Sequence, residues 1–510
     1  MYKKIKVLVL ISFLAVSCSK IPVISGQEVV PIKEQHQSLE LERPRFTPQV
    51  EEENIVVEKQ EIIEEENGIK EKNEESDIIV GNLLKNSNMS YYAVDLDTGK
   101  VLVDYRGKNI ATPASVMKIV SSAAAFEILG KDTRLKTKLL YNGTIDKNGI
   151  LKGNVYIQGG GDPTLGSEFF KGDREAFIKD WIASIKKAGI KTIKGNIIVI
   201  DDLFGYEGVS SKWLLEDLAT GYGQGAYGIS IFDNLYTLYI KSDANKGSVT
   251  RSVPKLQDIS FVNNMRISPK GRTDISVRGL PFNNTRELIG EIPANKKNII
   301  VKTDIPDPGL FLGKYFKNKL SISGIKVTGE VKTSRINKVK PKNLKELAVT
   351  DSKTIGEIIN IILVKSNNHY AEHIFKLLEL NGINLNKFWK EKGIDTTSLA
   401  VYDGSGLSRA DYISSKVLTE ILIYMYKNHP DYIDLLPRAG YEGTVTNFLT
   451  VQTFDGEAKL KSGSMGGVQS YAGYLNKDGK HIAFAMIINQ WNGTRRQVKK
   501  EMERLLKELF

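Results

Sequence analysis

The chain has 510 residues, length for about three domains. It is 41% hydrophobic and 26% charged, with 71 Lys+Arg against 60 Asp+Glu for a formal charge of +11, a composition with enough apolar residues for sizeable cores. A single cysteine excludes a disulfide framework and a Cys-based zinc or iron–sulfur centre, and the lack of long apolar runs after the first 20 positions excludes a polytopic membrane protein.

The N-terminus carries Lys3, Lys4 and Lys6 ahead of an apolar stretch from Val7 to Val16. This is the layout of an export signal, too short to span a bilayer. The lone cysteine, Cys18, falls at the expected cleavage site. Leu14-Ala15-Val16-Ser17-Cys18 resembles a bacterial lipobox, with Ala15 where Leu is usual. The resemblance implies cleavage before Cys18 and a lipid on its thiol, hence a membrane anchor; an ordinary secretory signal with an incidental thiol is the alternative. Residues 51–76 hold 11 Glu against 3 Lys. Such a self-repelling run is expected to be a disordered acidic tether over 18–80. With +3 on residues 1–50 and −8 on 51–76, residues 77–510 must carry +16 to give the total of +11. A basic body suits an anionic polymer such as cell wall; nucleic acid is disfavoured by the export signal.

The first ordered unit reads as a hairpin, Tyr91–Leu96 and Val101–Tyr105 about a turn at Asp97-Thr98-Gly99. A helix follows from Pro113 to Leu129, with Pro at its start and Gly130 past its end, apolar on nearly every side. Residues 136–345 read as a β-rich insertion of one or two subdomains, with one helix near Arg174–Lys187. Helical patterns return at Ile355–Leu380 and Lys416–Lys427. Three β runs follow, Ala458–Ser464, Tyr471–Leu475 and Ile482–Asn489, and then a closing amphipathic helix, Arg495–Leu509. The expected fold is α+β: residues 81–135 and 346–510 build an antiparallel sheet flanked by helices, interrupted by the insertion.

Ser115 and Lys118 stand at i and i+3, neighbours on one helix face. A serine hydroxyl becomes a nucleophile when a base takes its proton, and a lysine serves if it is kept uncharged by burial or a nearby cation. Ser-x-x-Lys occurs five times in the chain, so the pair alone means little. Ser366-Asn367-Asn368 is the only Ser-x-Asn, and Lys461-Ser462-Gly463 the only Lys-[Ser/Thr]-Gly. The ordered trio is similar to that of serine β-lactamases and penicillin-binding proteins.

Further blocks sharpen the likeness: Gly159-Gly160-Gly161-Asp162-Pro163-Thr164-Leu165, Lys365–Glu372, Asp403–Arg409 and Glu442-Gly443-Thr444 resemble the class C low-molecular-mass penicillin-binding proteins, D-alanyl-D-alanine carboxypeptidases and endopeptidases with a large insertion between the first two motifs. The resemblance implies a penicillin-binding-protein-like fold and an acyl-enzyme mechanism on peptidoglycan stem peptides, with β-lactams as covalent inhibitors and no cofactor or metal. In that scheme Ser115 attacks, Lys118 is the base, Ser366 relays a proton to the leaving amine and Asn368 holds the substrate amide. Lys461 keeps Lys118 neutral by repulsion and binds the terminal carboxylate. Ser462 and Gly463, with their strand, bind substrate, and the backbone N–H groups of Ser115 and Ser464 hold the oxyanion. Asp162 is implied to meet the free amino end of the side chain, the alternative being a tight loop, and Met465 to line the pocket or merely pack.

Two other readings stand beside it. His369-x-x-Glu372-His373 matches an inverted zinc-peptidase pattern, though no third ligand is evident. A lipid-tethered, non-catalytic wall-binding protein is the other. Trp181, Trp213, Trp389 and Trp491 are expected in the core.

Overall fold

The computed structural model describes residues 81–256, 258–338 and 341–510. The expected export signal, Cys18 and the acidic segment to residue 80 lie outside the described residues.

Period-2 alternation builds the central sheet. Along Lys480–Asn489, Ala483, Ala485 and Ile487 face one side, and Ile482, Phe484, Met486 and Ile488 the other, all buried. A strand apolar on both faces belongs in the middle of a sheet covered on both sides. The antiparallel order is Val101–Tyr105, Asn88–Asp95, Lys480–Asn489, Val468–Lys477, Glu457–Met465. The N-terminal hairpin thus pairs with the last strand of the chain, Asn88 opposite Asn489 and Asp95 opposite Ile482. On one face pack the helices Met117–Leu129, Ile355–Lys365, Asn368–Leu380 and Ser415–Asn428; on the other lies Arg495–Lys507, burying Val498, Met502, Leu505 and Leu506. The small Ala483 and Ala485 leave room for the first layer to pack closely.

The helix expected from Pro113 opens as a 3₁₀ turn, Ala114–Val116, and becomes α-helical at Met117. Every residue from Met117 to Phe126 is buried, Lys118 included. The stretch expected to be one helix, Ile355–Leu380, is two. Ser366 breaks it in a left-handed conformation (φ 55°, ψ 38°), and Asn367 then caps the second helix by accepting from the Tyr370 N–H.

The region between holds a mixed five-stranded sheet (Val331–Thr333, Ile197–Ile200, Val155–Gln158, Arg134–Tyr141, Lys345–Thr354) and smaller sheets that share one apolar core. Arg134–Tyr141 and Lys345–Thr354 are paired neighbours, so the chain enters and leaves this region on adjacent strands, and the pairing runs past the expected limit at 345. A second long helix, Pro308–Ile322, is present where β structure was expected. Asp307 caps it and Pro308 takes its first turn, so the start signal was there and the surrounding β texture masked it. Among the described residues no helix is long and apolar enough to cross a membrane.

Candidate active site

Three chain segments meet beside the edge strand Glu457–Met465, whose outer side is bridged at Lys459 by Arg438 and has no partner in a named strand among the described residues. Gly463 lets them touch. A Cβ there would lie 2.2 Å from Ser470 Oγ, 2.6 Å from the Pro113 carbonyl and 3.0 Å from the Ser115 nitrogen, so only glycine lets the strand pass against the serine's turn. Ser470 fastens that turn by donating to Pro113 O at 2.6 Å. Ala114 in it is left-handed (φ 51°), as is Ser366 across the cleft; each costs about 1–2 kcal/mol for a residue with a side chain.

Lys118 Nζ lies 2.9 Å from Ser115 Oγ, 2.6 Å from Asn368 Oδ1 and 2.6 Å from the Ser405 carbonyl. An uncharged amine has two N–H bonds and one lone pair. The amide and carbonyl oxygens can only accept, so they take the two N–H bonds and leave the lone pair for the serine hydroxyl. Burial lowers the Lys118 pKa to about 7 against the opposing pull of Asp403, Glu372 and Asp411.

Lys461 Nζ lies 2.9 Å from Ser366 Oγ and donates to the Ser462 carbonyl at 2.6 Å. It is fully buried, and burial first, then repulsion from Lys118, holds its pKa well below the ordinary lysine value. Burial is the first cause at both lysines, and like-charge repulsion acts between them. Ser462 Oγ shares a 2.7 Å hydrogen bond with Thr444 Oγ1, and Ser464 Oγ donates to Gln469 Oε1 at 2.7 Å. Met465 gives its carbonyl to Arg495 Nη2 at 2.6 Å.

Thus Ser115, Lys118, Ser366, Asn368, Lys461, Ser462, Gly463 and Ser464 share one cleft. Asp162 has no hydrogen bond to them among the described residues. It is buried, accepts from the Thr164 N–H and Oγ1 at 2.6 Å each, and lines a separate cleft of about 300 Å³ with Arg134, Phe170 and Lys353. Burial raises its pKa to about 6.

Several partners have no role assigned from the sequence, although Asp403 and Glu372 lie in blocks that carry the family resemblance. Asp403 accepts from the N–H groups of Ser405, Gly406 and Ser408 at 3.1, 2.5 and 2.7 Å and from Trp213 Nε1 at 2.7 Å. The loop it ties aims Ser405 O at Lys118. Asn368 Nδ2 donates to the Tyr222 carbonyl at 2.9 Å, so the insertion helps to hold the site. Behind Lys118 lie two acids kept protonated by burial and by Asp403: Glu372, raised to about 8, and Asp411, raised to about 10.

The zinc pattern finds another explanation. His369 and His373 are buried in the core, and His373 spends both ring nitrogens, on Ser230 Oγ and the Gly161 carbonyl, at 2.9 Å each. Among the described residues no group of three or more His, Cys, Asp or Glu is placed to hold a metal ion. Of the tryptophans, Trp181, Trp213 and Trp389 are buried as expected, whereas Trp491, two residues past the end of its strand, is half-buried between the core and Arg495.

Residues 75–509 match the D-Ala-D-Ala carboxypeptidase 3 (S13) family. The chain belongs to that family. It is a serine DD-peptidase of the low-molecular-mass penicillin-binding kind. Among known members, D-alanyl-D-alanine carboxypeptidase DacB of Haemophilus influenzae is 24% identical over 432 residues, 80% of this chain and 87% of its own. D-alanyl-D-alanine carboxypeptidase of Actinomadura sp. strain R39 is 25% identical over 429 residues, 78% of this chain and 77% of its own. The crystal structure of penicillin binding protein 4 from Haemophilus influenzae superposes with a TM-score of 0.72 at 23% identity, covering 84% of this chain and 97% of that one, and carries the fold assignment.

Proposed function

We infer that the enzyme cleaves D-Ala–D-Ala tails, or D-Ala–diamino acid cross-links, of peptidoglycan stem peptides by way of an ester on Ser115. Ser115 Oγ attacks the D-Ala carbonyl as its proton passes to Lys118 Nζ. The tetrahedral oxyanion is held by the N–H groups of Ser115 and Ser464. Ser366, between Lys461 and the cleft, relays the proton that Lys118 took to the departing amine, which leaves Lys118 uncharged again as the C–N bond breaks. Water then attacks the ester as Lys118 takes its proton, and that proton passes to Ser115 Oγ as the shortened peptide leaves. The observation that carries this reading is the three-way seat of Lys118, which turns its lone pair to Ser115. The Haemophilus influenzae protein has been crystallised with a β-lactam, and such compounds are the proposed covalent inhibitors here. Export to the cell wall, with lipid attachment at Cys18, is part of the proposal, supported by the signal-like N-terminus and the family's substrate. Asp162 is proposed to meet an ammonium of the stem peptide, on the strength of a carboxyl oxygen without a hydrogen-bond partner among the described residues. Mass spectrometry after benzylpenicillin treatment tests the mechanism: one adduct is expected, on the peptide containing Ser115, and none in S115A. An adduct retained in S115A overturns it.

A further inference from the structure

The substrate's terminal carboxylate sits next to the scissile bond, and a cation beside the edge strand is needed to meet it. Lys461 is badly placed for this: it is fully buried and its N–H bonds go to Ser366 and Ser462. Ser464 is exposed on the strand, but its hydroxyl hydrogen is directed to Gln469 Oε1.

Arg495 fits the role. It begins the C-terminal helix, on the opposite face of the sheet from the nucleophile helix, and reaches around the strand end. There Nη1 donates to Ser464 Oγ and Nη2 to the Met465 carbonyl at 2.6 Å. Its guanidinium carbon lies 5.6 Å from the centre of the Trp491 ring, so the ring supports the fork. No carboxylate pairs with it among the described residues, while Arg504 further along the same helix is paired with Glu501. A guanidinium left without a counter-charge, with N–H bonds to spare, matches a carboxylate's two oxygens.

We propose that Arg495 is a specificity-determining residue that meets the carboxylate of the substrate, or of a β-lactam, alongside Ser464. This rests on the DD-peptidase reading and names the substrate group that the site selects. The side chain was not singled out in the sequence because it lies about 30 residues beyond the third motif.

The test compares acylation of the intact protein by benzylpenicillin and by its methyl ester, which lacks the charge. For R495Q, acylation by the acid is expected to fall tenfold or more while the ester rate stays within twofold of the parent. R495K, which keeps the charge, recovers most of the loss. Equal losses for acid and ester mean that Arg495 only braces the strand, and no loss for either means that it does nothing for binding; both overturn the proposal. A parent protein that neither compound acylates overturns the peptidase reading and this proposal with it, an outcome separable from the others because it precedes any variant.

Discussion

The carbonyl oxygen of Ser405 stands 2.6 Å from Lys118 Nζ because Asp403, two residues earlier, gathers the loop's N–H groups onto its carboxyl. The proposed base is therefore aimed by a residue that never touches the serine. In Asp403→Asn, an NH₂ faces donors where an oxygen accepted. With hydrogen bonds to a charged group worth about 1.5–3 kcal/mol each, a loss of about 3 kcal/mol in stability is expected. Acylation by penicillin should slow as Lys118 loses its aim. Urea unfolding and acylation rate check both, and a variant matching the parent in each contradicts the assignment.

In the proposed mechanism acylation requires uncharged Lys118, and burial lowers its pKa to about 7. The sign follows directly: the neutral fraction grows as pH rises, so kcat/KM should climb through pH 7 and level off above it. Two units lower, roughly 1% of the plateau remains. A flat profile from pH 5 to 8 excludes Lys118 as the base.

Glu372 lies behind Lys118, and burial with Asp403 raises its own carboxyl to about 8, above the Lys118 value of about 7. It is therefore mostly uncharged where Lys118 titrates, and Glu372→Gln, which keeps a neutral group of the same shape, should leave the midpoint of that profile within about half a pH unit of the parent. Plateau height is a separate matter, since Glu372 does not reach the serine. A midpoint moved down by about a pH unit or more shows that Glu372 is ionised there and counts against this assignment.

Ser366 holds φ 55° without being glycine. S366G and S366A both lack the hydroxyl, so both should acylate slowly. They should differ in stability: glycine adopts this conformation freely, making S366G about 1 kcal/mol more stable than S366A. Chemical denaturation of the two variants side by side is the measurement, and equal midpoints argue that the left-handed turn is unstrained.

What could be read in the sequence and what could not divide along physical lines. Ser115 with Lys118, and Ser366 with Asn368, are fixed by local spacing, so residue order was enough to find them. The central sheet was equally legible, since Ile482–Ile488 alternates faces whatever it packs on. The break at Ser366 was hidden, because helical apolar spacing continues on both sides and serine seldom turns left-handed. Asp403, Thr444, Tyr222 and Arg495 reach the site only through tertiary folding, and no periodicity marks them. That burial outweighs repulsion in depressing Lys118 and Lys461 is a property of the folded state, which no residue spacing carries.

Gly463 offers a sharper test of the site than removal of any side chain. In G463A the added methyl meets Ser470 Oγ at 2.2 Å, the Pro113 carbonyl at 2.6 Å and the Ser115 nitrogen at 3.0 Å. The serine hydroxyl can rotate away, but the two backbone atoms belong to the turn that presents the nucleophile. Strand and turn must part, which takes the Ser464 N–H away from that of Ser115 and opens the proposed oxyanion seat. Losing one such donor costs about 10²–10³ in rate, and a loss of that size is expected in acylation. All reactive side chains are retained, and the apolar core of the sheet is untouched, so the unfolding midpoint should change much less than in D403N. Acylation kinetics and unfolding measured on the same preparation decide it: full activity in G463A shows that strand and turn need not touch.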